Sequence, residues 1–189
     1  MKYLQDNELV SLSEQEMMDC DEHLINNSCN GGNMGAAFGY VTKNEGLCSE
    51  EDYPYIADFQ DCADDTCENV VNTNISGYTP VKYKSTEDLM SSLAEQTVSI
   101  GLDAGSDDFK SYESGVFTGE CGTNLNHGLL GVGYGTDDAS GLDYWYLKNS
   151  WGEDWGDSGY MKLYREGGEG VKGTCGCLLD NDKPDFPEN

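Results

Sequence analysis

Basic residues are scarce in this sequence. Ten Lys and Arg stand against 36 Asp and Glu, which gives a net charge of −26 over 189 residues. Nucleic-acid binding depends on clustered Lys and Arg that neutralise phosphate. An anionic membrane surface would repel the chain for the same reason. The composition therefore excludes nucleic acid and anionic lipid as expected partners.

Long apolar segments are also missing. No run of 18 apolar residues occurs, so no membrane-spanning helix is predicted, and the first residues, MKYLQD, lack the apolar core of a secretory signal peptide. Eight cysteines nevertheless indicate an oxidising compartment, because cytosolic thiols are kept reduced. Sequons at Asn26 and Asn74 agree with such a compartment. We therefore expect the natural polypeptide to begin upstream of this sequence.

The first half of the sequence has helical patterns. Residues 13–20 (SEQEMMDC) read as a capping box, in which Ser13 accepts from first-turn amides and Glu16 reaches back. Further helices are predicted at residues 34–41 and from Ser85, each with apolar residues on one face. Between them, residues 47–80 resemble an ordered loop that contains three cysteines.

Later segments change to an alternating pattern typical of strands. Such runs surround Ile100, Val116, Leu129 to Tyr134, Trp145 and Tyr160 to Tyr164. Helices first and strands later predict an α+β fold with a helical lobe and a β-rich lobe, and ligands favour the cleft between two such lobes.

Only two histidines are available as a general base near neutral pH, His23 and His127. His23 lies in an acidic helix end and is interpreted as a solvated residue. His127 opens a predicted strand. Asn149 ends another strand and is followed by Trp151, and an amide with a neighbouring indole can hold an imidazole in one tautomer.

Five segments together resemble the papain family of cysteine peptidases, in that family's order and approximate spacing. They are residues 13–20 (SEQEMMDC), 29–32 (CNGG), 53–55 (YPY), 126–128 (NHG) and 148–152 (KNSWG). The resemblance implies a papain-like two-lobed fold with a helical lobe at residues 1–77 and a β-barrel-like lobe at 78–189.

The resemblance also assigns roles to single residues. His127 corresponds to the catalytic histidine, Asn149 to the asparagine that orients it, and Trp151 to the tryptophan that shields the pair. The glycine pair, Gly31 and Gly32, corresponds to backbone that binds an extended substrate strand. The predicted specificity pocket and its surroundings comprise Asn33, Met34, Gly101, Asn126, Gly128 and Asp180.

One family feature is absent. Papain-like peptidases carry a Cys-Trp pair, whose thiolate is the nucleophile, and an upstream Gln that donates to the oxyanion. No Cys-Trp pair occurs in the 189 residues. We expect the segment with that cysteine, its central helix and the oxyanion Gln to be missing, and the chain to be inactive alone.

The resemblance assigns structural roles to the cysteines that are present. Cys20 is expected to pair with Cys62 or Cys67, and Cys121 with Cys175. The remaining one of Cys62 and Cys67 is left for Cys48. Cys29 pairs in the family with a cysteine just before the nucleophile. Cys177 has no assigned partner.

Other chemistries fit the sequence poorly. Residues 131–135 (GVGYG) lack the third glycine and the following helix of a dinucleotide site. Residues 175–177 (CGC) are too close for a zinc knuckle, and the acidic pairs do not follow the order of a calcium loop. No cofactor or metal is therefore expected.

The predicted function is that of a cysteine-type endopeptidase that forms a thioester acyl-enzyme. An endopeptidase is favoured because no large insertion, of the kind that blocks the cleft in exopeptidases, separates Gly32 from Tyr53. Expected partners are polypeptide substrates and a propeptide or a proteinaceous inhibitor, in a lysosome, a vacuole or the extracellular space. Two alternatives stay open: a non-catalytic pseudopeptidase that binds extended peptides, and a lumenal subunit that binds a partner chain.

Overall fold

The computed structural model describes residues 7–21, 28–83, 85–119 and 121–165. The chain forms two compact units, Met1–Thr79 and Pro80–Asn189. The predicted domain boundary after residue 77 stays a prediction, because two compact units of one chain need not fold independently. None of the described helices combines the length and the apolarity that a membrane crossing requires.

The first unit is built on two helices and a long cystine-linked loop. Helix α1 spans Glu14–Cys20 and α2 spans Met34–Lys43, with short 3-10 turns at Ser28–Asn30 and Asp64–Thr66. Disulfides join Cys20 to Cys62 and Cys48 to Cys67, so the two cysteines left open by the sequence are now assigned. These bonds tie the loop to a small core made by Cys20, Tyr40, Val41 and Leu47, through Cys20 itself and through Cys48 next to Leu47.

Two other cysteines have a different status. Cys29 is exposed. Cys121 is disulfide-bonded, but Cys175 and Cys177 lie outside the described residues, so the pairing of Cys121 with Cys175 stays a prediction.

Only half of the predicted capping box forms at α1. The Ser13 hydroxyl accepts from the Glu16 N–H at 2.9 Å, as expected. Glu16, however, does not reach back. Its fully buried carboxylate accepts from Tyr40 Oη at 3.0 Å, Asn44 Nδ2 at 2.7 Å and the Cys48 N–H at 2.7 Å. The prediction for Glu16 is therefore wrong, because the carboxylate satisfies three donors from α2 and the following loop instead.

The second unit contains a five-stranded mixed sheet. Its elements are α3 at Thr86–Glu95, β1 at Val98–Leu102, α4 at Asp107–Lys110, β2 at Val116–Phe117, β3 at His127–Thr136, β4 at Asp143–Lys148 and β5 at Tyr160–Tyr164. The strand order is β1-β3-β4-β5-β2, antiparallel except for the β2–β5 pair. The predicted α+β class is confirmed.

The core of this unit lies on one face of the sheet. Leu89 and Leu93 of α3 pack there with alternating strand residues, and the fully buried Phe109 fills the side next to β2. The β1–β3 ladder brings the start of β3 beside the end of β1, with Leu102 opposite His127. This pairing fixes the backbone that carries the predicted base.

Candidate active site

His127 and Asn149 meet at one end of the sheet. His127 is the first residue of β3, and Asn149 follows the last residue of β4. The Asn149 N–H donates to the Gly159 carbonyl at 2.9 Å, which fixes its backbone, and its side chain is buried. The distance from His127 Nε2 to Asn149 Oδ1 is 2.8 Å.

The second hydrogen bond of Asn149 fixes the direction of this contact. The Ser150 N–H donates to the same Oδ1 atom at 2.8 Å. An atom that receives a backbone N–H is an oxygen acceptor, so the His127 nitrogen that faces it must be the donor. His127 is thus held as the Nε2–H tautomer, and Nδ1 is left to exchange a proton with a reacting group.

Aromatic rings support the pair. The Trp151 ring lies 5.0 Å from the His127 ring between centroids, at an angle of 31°. Phe109 packs edge-on against Trp151 at 5.7 Å, and Trp155 contacts both rings at 5.5 and 5.4 Å. Trp151 remains 41% exposed, so one side of the indole is open to solvent while the other covers the imidazole.

Asn149 carries an unsatisfied group. Its Nδ2 atom is buried and has no hydrogen-bond partner in the part of the chain that the structure describes. A buried donor without a partner is destabilising, by about 1–3 kcal/mol. The Oδ1 atom at the other end of the amide, in contrast, accepts two hydrogen bonds, from His127 Nε2 and from the Ser150 N–H.

A second amide, Asn126, lies immediately before His127. Asn126 Oδ1 accepts from the Ala104 N–H at 2.9 Å, and Asn126 Nδ2 donates to the Asp103 carboxylate at 3.1 Å. The pKa of Asp103 lies below its usual range, mainly because its carboxylate accepts a hydrogen bond from the Gly105 N–H. The hydrogen bonds from Asn124 and Asn126 lower this pKa further. The Asn126 amide is thus engaged with the end of β1.

The glycine pair lies in the first unit, at the entrance to α2. Gly31 has a φ of 100°, which favours glycine. Asn33 caps α2, because its Oδ1 accepts from the Gly35 and Ala36 N–H groups at 2.8 and 3.3 Å. A 280 Å³ cavity is lined by Glu14, Met17, Met18, Gly31, Gly32, Asn33, Met34 and Ala37. The structure therefore brings Gly31, Gly32, Asn33 and Met34 together around one cavity.

The remaining predicted pocket residues divide into two groups. Gly101 and Gly128 lie opposite each other in the β1–β3 ladder, one step from the Leu102–His127 pair. Asp180 lies outside the described residues, as does His23.

Three supporting residues were not predicted: Asp103, Phe109 and Trp155. Phe109 belongs to α4, a four-residue helix too short for an apolar period. Trp155 comes four residues after Trp151 in residues 151–156 (WGEDWG), and this pair of nearby tryptophans is the sequence feature that could have indicated its role. Asp103 directly follows β1, and its sequence pattern does not distinguish it from a solvated acid.

Metal ligation finds little support. Among the described residues, Cys20, Cys62 and Asp64 form a group of potential ligand atoms. The two sulfurs are joined in a disulfide, so they do not provide the thiolates that a metal would need.

Comparison with known proteins places this geometry in a family. The model of the family described as papain family cysteine protease matches residues 1–181. Cysteine protease 1 of Oryza sativa subsp. japonica is 48% identical over 176 residues, which cover 91% of this chain and 35% of that protein. The KDEL-tailed cysteine endopeptidase CEP2 of Arabidopsis thaliana is 46% identical over 178 residues, 94% of this chain and 48% of that protein.

Solved structures agree. The bromelain protease of Ananas comosus in complex with the E64 inhibitor superposes with a TM-score of 0.85 at 35% identity, covering 95% of this chain and 80% of that chain. The ragweed Amb a 11 cysteine protease in its proform gives 0.84 at 37% identity, covering 94% and 52%. The chain spans about half or less of the curated relatives described above. The papain-like fold is confirmed, and the chain belongs to the papain family of cysteine proteases.

Proposed function

We propose that this chain carries the base and the orienting amide of a cysteine endopeptidase. The observation that supports this most directly is the 2.8 Å contact of His127 Nε2 with Asn149 Oδ1, an oxygen that the Ser150 N–H fixes as an acceptor. The tautomer leaves Nδ1 for proton transfer. Trp151 covers the ring, which excludes water from the hydrogen bond.

The proposed reaction is acyl transfer. A cysteine thiolate attacks the peptide carbonyl, and the carbon–nitrogen bond breaks as the imidazolium of His127 gives its Nδ1 proton to the leaving amine. The neutral ring then takes a proton from water, whose oxygen attacks the thioester. The carboxylic acid leaves, and thiolate and imidazolium are restored. Asn149 holds the ring in both steps.

The nucleophile is not identified among the eight cysteines. None of them is followed by Trp, and four form the two disulfides of the first unit. We therefore propose that the 189 residues do not hydrolyse peptides by themselves. Loss of the nucleophile reduces kcat by about a million-fold in the triad of subtilisin, which sets the scale expected here.

Substrate binding is proposed at the glycine pair. Gly31 and Gly32 are both exposed and carry no side chain, so an extended peptide can approach their backbone. Met34 and Asn33 beside them line the 280 Å³ cavity and are proposed to shape the specificity pocket. Gly101, Gly128, Asn126 and Asp180 are proposed to contribute to substrate binding as well.

The main alternative is a non-catalytic pseudopeptidase or lumenal subunit. The missing Cys-Trp pair is the observation that favours it. Such a protein would bind an extended peptide, or a partner chain, without cleaving it.

A thiol-directed epoxide distinguishes these functions. The natural protein is treated with the epoxide and digested, and the labelled cysteine is identified by mass spectrometry. Labelling of a cysteine outside the 189 residues, lost in His127→Ala but kept in the control His23→Ala, supports the peptidase. Label on Cys29 would overturn the assignment of the nucleophile. Binding of an extended peptide with neither label nor cleavage would support the pseudopeptidase.

We also propose an oxidising location, in a vacuole, a lysosome or outside the cell, with a propeptide or an inhibitor protein as partner. The disulfides support the location, and the proform of Amb a 11 supports a propeptide.

Asn74 is exposed in a loop and starts a sequon. Glycosidase sensitivity of the natural protein, lost in Asn26→Gln/Asn74→Gln but kept in Asn72→Gln, tests passage through the secretory pathway. Reduced thiols at Cys20, Cys48, Cys62 and Cys67 in the isolated natural protein would contradict the proposed location.

A further inference from the structure

The Asp103 carboxylate joins two segments of the second unit, the end of β1 and the loop before β3. Asp103 directly follows β1 and is buried. Its Oδ1 accepts from the Gly105 N–H at 2.9 Å and from Asn126 Nδ2 at 3.1 Å, and its Oδ2 accepts from the Asn124 N–H at 3.0 Å. One side chain thus joins the end of β1 to two residues of the loop before β3, one of which, Asn126, is next to His127.

Further hydrogen bonds hold Asn126, the residue before His127, against the end of β1. The Asn126 N–H donates to the Leu102 carbonyl at 3.1 Å, and the Ala104 N–H donates to Asn126 Oδ1 at 2.9 Å. Leu102 is the ladder partner of His127. The backbone that leads into the imidazole is therefore tied to β1 by main-chain and side-chain bonds together, and the Asp103 carboxylate accepts the bond that holds the Asn126 amide in place.

The surrounding backbone leaves room for this carboxylate and for little else. A Cβ atom at Gly105 would lie 2.9 Å from Asp103 Oδ1, and a Cβ atom at Gly122 would overlap Oδ2. Two glycines from separate loops therefore enclose the carboxylate. Hydrogen bonding from three donors also favours its charged form, in agreement with the lowered pKa of Asp103.

We propose that Asp103 is a positioning residue for His127, which holds the imidazole in reach of Asn149 through Asn126. This inference rests on the proposed function, because it assigns Asp103 to the geometry of the proposed base. A general base must be held within about 0.5 Å of its working position, and a hydrogen bond from the ring to Asn149 requires the same precision.

The test compares two substitutions of the same kind. Asp103→Asn keeps the shape but places an amide NH₂ among three donors. Asp137→Asn is the matched control, because Asp137 also accepts three hydrogen bonds, from Ser140 N, Ser140 Oγ and Lys162 Nζ, but follows the opposite end of β3. The readout is the ¹⁵N chemical shifts of the His127 ring, with His23 identified by its substitution.

At a pH high enough to remove the second proton of the ring, wild-type protein and Asp137→Asn should show the Nε2–H tautomer of neutral His127. In Asp103→Asn, the ratio of Nε2–H to Nδ1–H tautomers should fall roughly tenfold, as expected for a weakened hydrogen bond. A lower Tm in Asp103→Asn with an unchanged tautomer ratio would show a merely structural role and overturn the proposal.

A second variant covers the case in which Asp103→Asn does not fold. Asn126→Ala removes the link to His127 but keeps the two backbone hydrogen bonds of Asp103, and it should lower the tautomer ratio in the same direction. An unchanged ratio in this variant overturns the proposal too. Because the readout needs no hydrolysis, a tautomer shift in a natural protein without peptidase activity would sustain the positioning role and count only against the proposed function.

Discussion

A single acceptor atom, Asn149 Oδ1, determines which nitrogen of His127 carries the proton. The atom receives one hydrogen bond from the Ser150 backbone and one from the ring. The Nδ2 atom of the same amide has no hydrogen-bond partner among the residues that the structure describes. An aspartate here would remove the buried NH₂ group but would add a charge that changes the proton equilibrium of the ring.

Asn149→Ala should lower kcat of the natural enzyme by about 10- to 100-fold, the equivalent of a hydrogen bond to a charged ring. KM should change less, because the amide contacts the ring and not the substrate. Ser150→Ala is the control, since it keeps the backbone N–H, and should be close to wild type. Equal losses in both variants would show that the loop, and not the carboxamide, is responsible.

The buried Glu16 predicts a pH dependence of stability. Burial is the main cause that raises the pKa of Glu16 above its ordinary 4.5. A carboxyl group with a raised folded-state pKa favours folding in its protonated form, so its contribution is full below pH 4.5 and is lost as the pH rises through the folded pKa. The first unit should therefore melt at a higher temperature near pH 5 than at pH 7.

Thermal melts of Glu16→Gln between pH 4.5 and 7 check this expectation, because the variant should lose this part of the pH dependence. Glu14→Gln, an exposed position of the same helix, removes the same charge and should keep it. Equal slopes in the two variants would contradict the role of Glu16. The lowered pKa of Asp103, and that of Asp137 at about 2 because of the Lys162 hydrogen bond, affect stability only below about pH 3.8.

At the level of helices, strands and loops, the two disulfides replace the core that residues 47–80 lack. Their sequence separations are 42 and 19 residues. Loop closure of these lengths stabilises the folded state by about 4 and about 3 kcal/mol. The long loop should therefore depend on them more than the sheet does.

The double variant Cys48→Ser/Cys67→Ser should lose about 3 kcal/mol of local stability in the first unit. Hydrogen exchange measures this, with faster exchange expected at Val70, whose N–H donates to the Leu47 carbonyl, and at Leu47, whose N–H donates to Thr73 Oγ1. Amides of β3 and β4 serve as the internal control and should be unchanged. Uniform loss across both units would contradict a local role for this bond.

Periodic elements were predictable from the sequence, and elements defined by tertiary contacts were not. The alternation around Ile100 and Trp145 reports burial on one face, which a strand requires, and both strands are found. The pattern of residues 13–16 predicts a local cap by Glu16, but it is equally compatible with a buried Glu16 that binds donors from elsewhere in the chain. The structure has the buried arrangement, in which Glu16 accepts from Tyr40 and Cys48, and no local pattern encodes those contacts.

The candidate site shows the same division. His127 and Asn149 stand out because the chain has only two histidines and because Asn149 ends a predicted strand two residues before Trp151. Their 2.8 Å contact depends on the β3–β4 register and its bulge between Gly131 and Gly133, which a single sequence does not reveal. Asp103 is not distinguished by the sequence, because two of its three donors, from Asn124 and Asn126, come from the loop before β3.

For the molecule as a whole, charge is the dominant property. The net charge is −26, and three of the few cations in the described part of the chain already pair with acids, Lys110 with Asp107, Lys162 with Asp137 and Arg165 with Asp143. The field should attract cationic polypeptides and repel acidic ones. Such a field acts on the rate of encounter and not on the choice of bond.

A lysine-rich peptide substrate should therefore lose roughly tenfold in kcat/KM when ionic strength rises from about 0.01 to about 0.15 M, as the screening length shortens from about 30 to about 8 Å. The control is the same peptide with lysines outside the cleavage site replaced by glutamine, whose kcat/KM should be nearly independent of salt. Initial rates of hydrolysis by the natural enzyme at each ionic strength provide the measurement. Equal salt dependence for both peptides would exclude electrostatic steering.

The stacking of Trp151 on His127 also has an optical consequence. An imidazolium accepts an electron from an excited indole far more readily than neutral imidazole does, and the two rings lie 5.0 Å apart. Trp145 lies buried in the sheet core, and no ring contact joins it to the histidine in the described residues. Light emission from Trp151 should therefore dim when the neighbouring ring gains its charge, so a fluorimeter can follow the proton without a substrate, a dye or a label.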